Sequence, residues 1–220
     1  MCKSRVQEYT TINIQSLNVD GLNEEKLALL EDYCIEERPD VLALQETKFS
    51  VESLPPNLEI EGYHYYVAER SELEKQGGGL IIYHKTEIPI RSWVRPGKDT
   101  KLVTANETQW IMLETATSKM AIANVYFACQ SSKNRNFVEW NTEMYNELKA
   151  DIETLRDMNF AIFMVGDFNG WTGIQQGMEE NNPTVNDNGR LLLDFINEEK
   201  NLSNRKFAQH IYVILMNQAP

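Results

Sequence analysis

Cysteine is scarce in this 220-residue sequence: Cys2, Cys34 and Cys129 are an odd number, without CxxC spacing and without a neighbouring histidine. That excludes a disulfide framework and gives no zinc signature. Long apolar runs are also missing. The first residues, MCKSRVQE, contain no hydrophobic core of a signal peptide, and no stretch approaches the roughly 18 apolar residues of a membrane span, so no membrane partner is expected. Basic residues are outnumbered: 21 Lys and Arg against 33 Asp and Glu leave a formal net charge of −12, which argues against attraction of polyanions by the surface as a whole. A local basic groove, or divalent cations that neutralise carboxylates and substrate together, remains compatible with that charge. Internal repeats, low-complexity tracts and long linkers are absent too. These absences leave an intracellular chain, nuclear or cytoplasmic, with reduced thiols; 42% hydrophobic and 25% charged residues are the balance of a packed globular protein.

What is present alternates between strand and helix patterns. Residues 10–17 (TTINIQSL) place Ile12 and Ile14 at period two and run into the turn Asn18-Val19-Asp20-Gly21. Asn23 then caps a helix predicted over 24–38, with Leu27, Leu30 and Cys34 on one face and Pro39 as its stop. Residues 41–44 (VLAL) read as a short buried strand ending abruptly in Gln45-Glu46-Thr47-Lys48. The middle is β-rich, at 63–68, 79–84, 108–114 and 119–127, and is expected to hold the antiparallel part of a sheet. Phe137, Trp140, Met144, Tyr145, Leu148, Ile152 and Leu155 trace one long amphipathic helix. Another apolar strand, 160–165, ends in Gly166-Asp167-Phe168-Asn169, and an Asn- and Gly-rich loop leads to a helix pattern over 189–196. The apolar residues 211–216 are compatible with one last strand.

Three of these strands stop at carboxylates or carboxamides: Asn18 and Asp20, then Glu46, then Asp167 and Asn169. Oxygen donors at one rim of an α/β scaffold suit a hard cation, so the expected cofactor is Mg²⁺ or Mn²⁺, and the missing His/Cys cluster disfavours zinc. Taken singly, each motif also has a plain reading as a turn or a solvated loop. The spacing changes the balance, because Glu46 follows Asn18 by 28 residues in a PDVLALQETK run.

Those residues resemble the endonuclease/exonuclease/phosphatase superfamily, nearest in look to abasic-site endonucleases and non-LTR retrotransposon endonuclease domains. The resemblance rests on Leu17-Asn18-Val19-Asp20-Gly21-Leu22, on residues 39–48 and on Gly166-Asp167-Phe168-Asn169. It implies an α/β fold, a two-sheet β-sandwich flanked by helices in four αββα layers like DNase I, incomplete at the C-terminus. Residues 1–207 would form the domain and 208–220 a divergent tail. It further implies Glu46 as metal ligand, with Asn18 and Asp20 beside it. Tyr126 and Asn169 would contact the scissile phosphate, and Asp167 would position the attacking water. The substrate expected is DNA, hydrolysed by a monomer, with Lys133 and Arg135 as backbone contacts; the alternatives are an inositol-phosphate or sphingolipid phosphatase of the same superfamily, or an inactive remnant. The family's terminal Ser-Asp-His run has no match, since His210 lacks a preceding Asp, which suggests a departure near Asn204.

Other features read structurally. Gly77-Gly78-Gly79 lacks the GK[ST] of a phosphate loop and reads as a flexible turn or bulge; His64 and His84 lie in strand patterns; Arg190 reads as a solvated first-turn helix residue.

Overall fold

A computed structural model describes residues 11–49, 57–68, 78–98, 107–129, 136–173, 184–203 and 211–215. The elements run β1 (Ile14–Asn18), α1 (Glu24–Glu37), β2 (Val41–Gln45), β3 (Tyr63–Ala68), β4 (Leu80–Lys85), β5 (Ile90–Trp93), β6 (Thr108–Glu114), β7 (Lys119–Tyr126), α2 (Phe137–Asp157), β8 (Ala161–Asp167), α3 (Asp187–Ser203) and β9 (Ile211–Leu215). Two mixed sheets form, with strand orders β1-β2-β4-β3 and β5-β6-β7-β8-β9. The β-rich middle is therefore split between both sheets rather than gathered in one, because a sandwich needs antiparallel neighbours on either side of its core.

The apolar strands are continuous because each sheet is covered on both faces. In β2, Leu42 and Leu44 pack with Leu30 and Cys34 of α1, whereas Val41 and Ala43 turn the other way, to Ile82, Ile111, Ile122 and Val165 between the sheets. In the second sheet Met112, Ala121 and Ala123 face Met144, Leu148 and Ile152 of α2 and Phe195 of α3. The result is four layers, helix, sheet, sheet, helices, as the sequence resemblance implied.

Local chemistry sets the boundaries. Asn23 is extended and its side-chain oxygen accepts from Lys26 N at 2.9 Å, opening α1; Arg38, expected as the last helical residue, is instead the left-handed cap at φ 48°. The first strand begins at Ile14, and the third helix begins at Asp187, where the acidic residue suits the positive end of the helix dipole. β5 has only four residues and no sequence signal of its own. β9 lies within the segment expected to be a divergent tail, and it pairs in parallel with β8 from Ile162↔Ile211 to Gly166↔Leu215.

Two parallel pairs position the site. β1 lies beside β2 with Asn18 opposite Gln45, and β7 beside β8 with Tyr126 opposite Asp167. Parallel neighbours end together, so each sheet delivers a pair of strand C-termini to one rim.

Candidate active site

Asn18 joins the two sheets at that rim. Its amide nitrogen donates to Glu46 Oε1 at 3.1 Å and to Asp167 Oδ2 at 2.7 Å, across 149 residues of sequence in the second case. The orientation of this amide is fixed, because its oxygen accepts from Asp20 N at 3.0 Å. The turn thus uses the carbonyl and leaves both N–H groups to hold two carboxylates side by side. Asp167 in turn accepts from Asn169 N at 2.8 Å, and Asn169 Nδ2 donates to Phe127 O at 2.8 Å.

Tyr126 sits beneath them, almost wholly buried and hydrogen-bonded to Glu46. Burial first, and the Glu46 carboxylate second, push its phenol well above the ordinary tyrosine value, which keeps it protonated and donating. The thiol of Cys129 is likewise pushed up by burial and by Glu46. Asp20 stands apart: its exposed carboxylate pairs with Lys48, which holds its pKa below the usual value.

The loop carrying Glu46 is stitched from both sides. Gly21 N donates to Glu46 O and Leu22 N to Thr47 O, while Thr47 N and Lys48 N donate to Gly79 O and Gly78 O. Gly78 and Gly79 have φ of 90° and 83°, and a Cβ on Gly79 would lie 2.6 Å from Thr47 Oγ1. These glycines, expected to form a flexible turn or bulge, let the start of β4 approach the loop carrying Glu46 closely. Asp20, Glu46, Lys48 and Asn169 are four of the six non-glycine residues with left-handed backbone among the described residues. Such conformations cost on the order of 1–3 kcal/mol each and persist where surroundings over-determine them.

Several supporting residues had no role in the sequence reading. Gln45 Nε2 donates to Asn124 Oδ1 at 2.6 Å, and Asn124 Nδ2 donates to Leu44 O and Ile81 O, so a buried carboxamide pair locks the two sheets together under the rim. Asn141 and Asn188 fix Ala128, and Asn188 also donates to Phe168 O. The available signal was a polar residue on an apolar face: Asn124 within AIANVY, and Asn141 among Phe137, Met144, Tyr145 and Leu148.

Lys133 and Arg135, the expected DNA contacts, lie outside the described residues, as does His210. Arg190 is exposed and pairs with Asp187, one turn apart. His84 is buried and stacks on Tyr66, with His64 alongside. Among the described residues no group of three His, Cys, Asp or Glu side chains gathers to cage a metal. The donor set fits Mg²⁺ nonetheless, since that ion commonly takes one or two carboxylates and retains waters, and Glu46 and Asp167 both touch one amide. No described helix is long and apolar enough to cross a membrane.

Residues 10–196 match the model of the Endonuclease/Exonuclease/phosphatase family. No curated protein matches the sequence. Among solved structures, an AP endonuclease from Leishmania major is similar at 17% identity and a TM-score of 0.60, over 84% of this chain and 66% of that one. The 3' phosphatase NExo from Neisseria, bound to product DNA hairpin, shares 19% identity with a TM-score of 0.48 over 72% and 58% of the two chains. An AP endonuclease from Archaeoglobus fulgidus shares 20% with a TM-score of 0.42 over 64% and 52%. The chain thus spans between 52% and 66% of the length of these proteins, and at such identities the likeness to the first establishes the fold alone.

Proposed function

The chain belongs to the endonuclease/exonuclease/phosphatase family, whose members are hydrolytic nucleases and phosphatases, and on that premise we propose that it hydrolyses phosphodiester bonds of DNA with Mg²⁺ or Mn²⁺. The activity proposed is that of an endonuclease of the abasic-site or retrotransposon type. The observation that carries this reading is the Asn18 amide shared by Glu46 and Asp167, because it brings one carboxylate from each sheet to one rim.

Glu46 would hold the cation together with its waters, and Asp20 would remain outside this set, engaged by Lys48. When bound, the ion supplies Lewis-acid stabilisation of charge on the phosphoryl oxygens and the leaving oxygen. Asp167 orients the attacking water and accepts its proton. Its geometry is set in advance by Asn18 and by the Asn169 N–H, so little reorganisation is needed as charge develops. Asn169 keeps a second side-chain N–H beyond the one given to Phe127 O, and that donor serves a phosphoryl oxygen. Tyr126, the residue expected to contact the scissile phosphate, is almost wholly buried, and in this proposal it stays protonated and fixes Glu46 from below. Lys133 and Arg135 are proposed as contacts to the DNA backbone.

The test is nicking of supercoiled plasmid and of a duplex containing one abasic site, with Mg²⁺ or with EDTA, beside Glu46→Gln. Cleavage that requires Mg²⁺ and disappears in the variant is expected. Cleavage unchanged by Glu46→Gln would overturn the assignment.

A further inference from the structure

Trp171 differs from the other tryptophans. Trp93 and Trp110 are buried against each other and Trp140 is half-buried, whereas Trp171 is 51% exposed. It stands four residues after Asp167 and two after Asn169, on the loop leaving β8. Its main chain is clamped: Trp171 N donates to Asn186 Oδ1 at 2.8 Å, and Trp171 O accepts from Asn186 N at 3.2 Å. Asn186 also donates from Nδ2 to Asn169 O at 2.9 Å, so one asparagine ties the tryptophan to the active rim. Gly189 completes the clamp, since a Cβ there would lie 1.9 Å from Trp171 O. Thr172 adds a bridge to Val185.

A fixed backbone carrying an indole half in water is the arrangement of a stacking platform, because the ring is presented at little entropic cost. Charge points the same way. The molecule carries −12, and of the described cations Lys26 is engaged by Val19 O and Asp20 O, Lys48 by Asp20, and Arg190 by Asp187. Beside the backbone contacts proposed for Lys133 and Arg135, affinity for a polyanion gains from contacts that do not depend on positive charge, and every nucleobase offers a π face.

Resting on the nuclease reading above, the geometry points to Trp171 as the residue that stacks on an unpaired base of the DNA beside the cleavage site. Trp171 is thus a substrate-positioning residue that favours strands with accessible bases over paired duplex.

The test uses the full chain in EDTA, so that no cleavage intervenes. Two probes are titrated by fluorescence anisotropy: a short single-stranded oligodeoxynucleotide of mixed sequence, and a sugar-phosphate strand of the same length without bases. Trp171→Ala is expected to weaken binding of the first by about tenfold and to leave the second unchanged. Trp171→Phe retains most of the affinity while losing the quenching of indole fluorescence that the wild-type chain shows, which keeps the test valid should the alanine variant fold poorly. Unchanged binding of the mixed strand by Trp171→Ala, equal loss on both strands, or binding of neither by the wild-type chain would overturn the inference. Glu46→Gln separates the two readings. If nicking depends on Glu46 and Trp171 makes no difference, stacking fails and the nuclease stands. If stacking holds and nicking ignores Glu46, the reverse applies.

Discussion

A single carboxamide holds the two carboxylates of the rim together. Asn18 cannot be replaced by aspartate without adding a third negative charge beside Glu46 and Asp167, nor by alanine without leaving those two carboxylates to repel each other. The side chain of Asn18 is exposed, so its loss costs little stability. Asn18→Ala is therefore expected to lower the nicking rate by about 100-fold, the scale of a misplaced catalytic group, while the thermal unfolding profile stays close to wild type. A rate within a factor of about two of wild type, measured on the plasmid substrate, would mean that the bridge is incidental. The residue type was legible in the NVDGL turn, but the bridge to Asp167 was not, because it spans the gap between sheets and has no sequence spacing to betray it.

At the scale of elements, the junction of β7 and β8 is held by a close backbone approach. Gly166 has φ +140° and a Cβ there would come within 2.0 Å of Val125 O. That approach is what lets Tyr126 and Asp167 sit opposite each other one residue later. Gly166→Ala would have to separate the two strands immediately before Tyr126 and Asp167. It is expected to cost at least about 4 kcal/mol in urea unfolding, within the class of large core effects. A loss below about 1 kcal/mol would show that the strand ends can shift freely. GDFN marked this segment in the sequence as a strand end, yet the reason for its glycine is the neighbouring strand. β2 was readable for the opposite reason: an unbroken VLAL run needs apolar partners on both faces, and α1 and the second sheet supply them. β5, four residues long, gave no comparable signal because it is held by its partner β6 and not by its own pattern.

For the whole molecule, stability couples to pH through His84. This side chain is buried, stacked on Tyr66, and its pKa is held below the ordinary value of 6.5, mainly by burial and also by His64. The unfolded chain therefore binds a proton at 6.5 that the folded chain binds only at lower pH. His84 contributes stability in full above 6.5, and that contribution is lost as the pH falls through the folded value. Urea midpoints are expected to decline on acidification below 6.5, and His84→Gln should flatten that part of the profile. An identical slope in the variant would assign the effect elsewhere. His84 was read in the sequence as a structural residue of a strand; its stack on Tyr66 and its tilted contact with His64 arise only when β3 and β4 pair, with His64 opposite His84.

The sequence alone determined the alternation of strands and helices, the two-sided burial of the central strands and the identity of the polar residues at their ends, since these follow from local periodicity and turn chemistry. It also determined the acidic balance that turns attention to divalent cations. Tertiary structure decided which strand ends meet. Asn18, Glu46, Tyr126 and Asp167 come together because two parallel pairs in different sheets terminate at one rim, and the Gln45–Asn124 contact fixes how the sheets stack. Such contacts join residues about 80 to 150 positions apart, and no local pattern encodes them; they exist only once the apolar faces have packed and brought the strand ends within hydrogen-bonding reach.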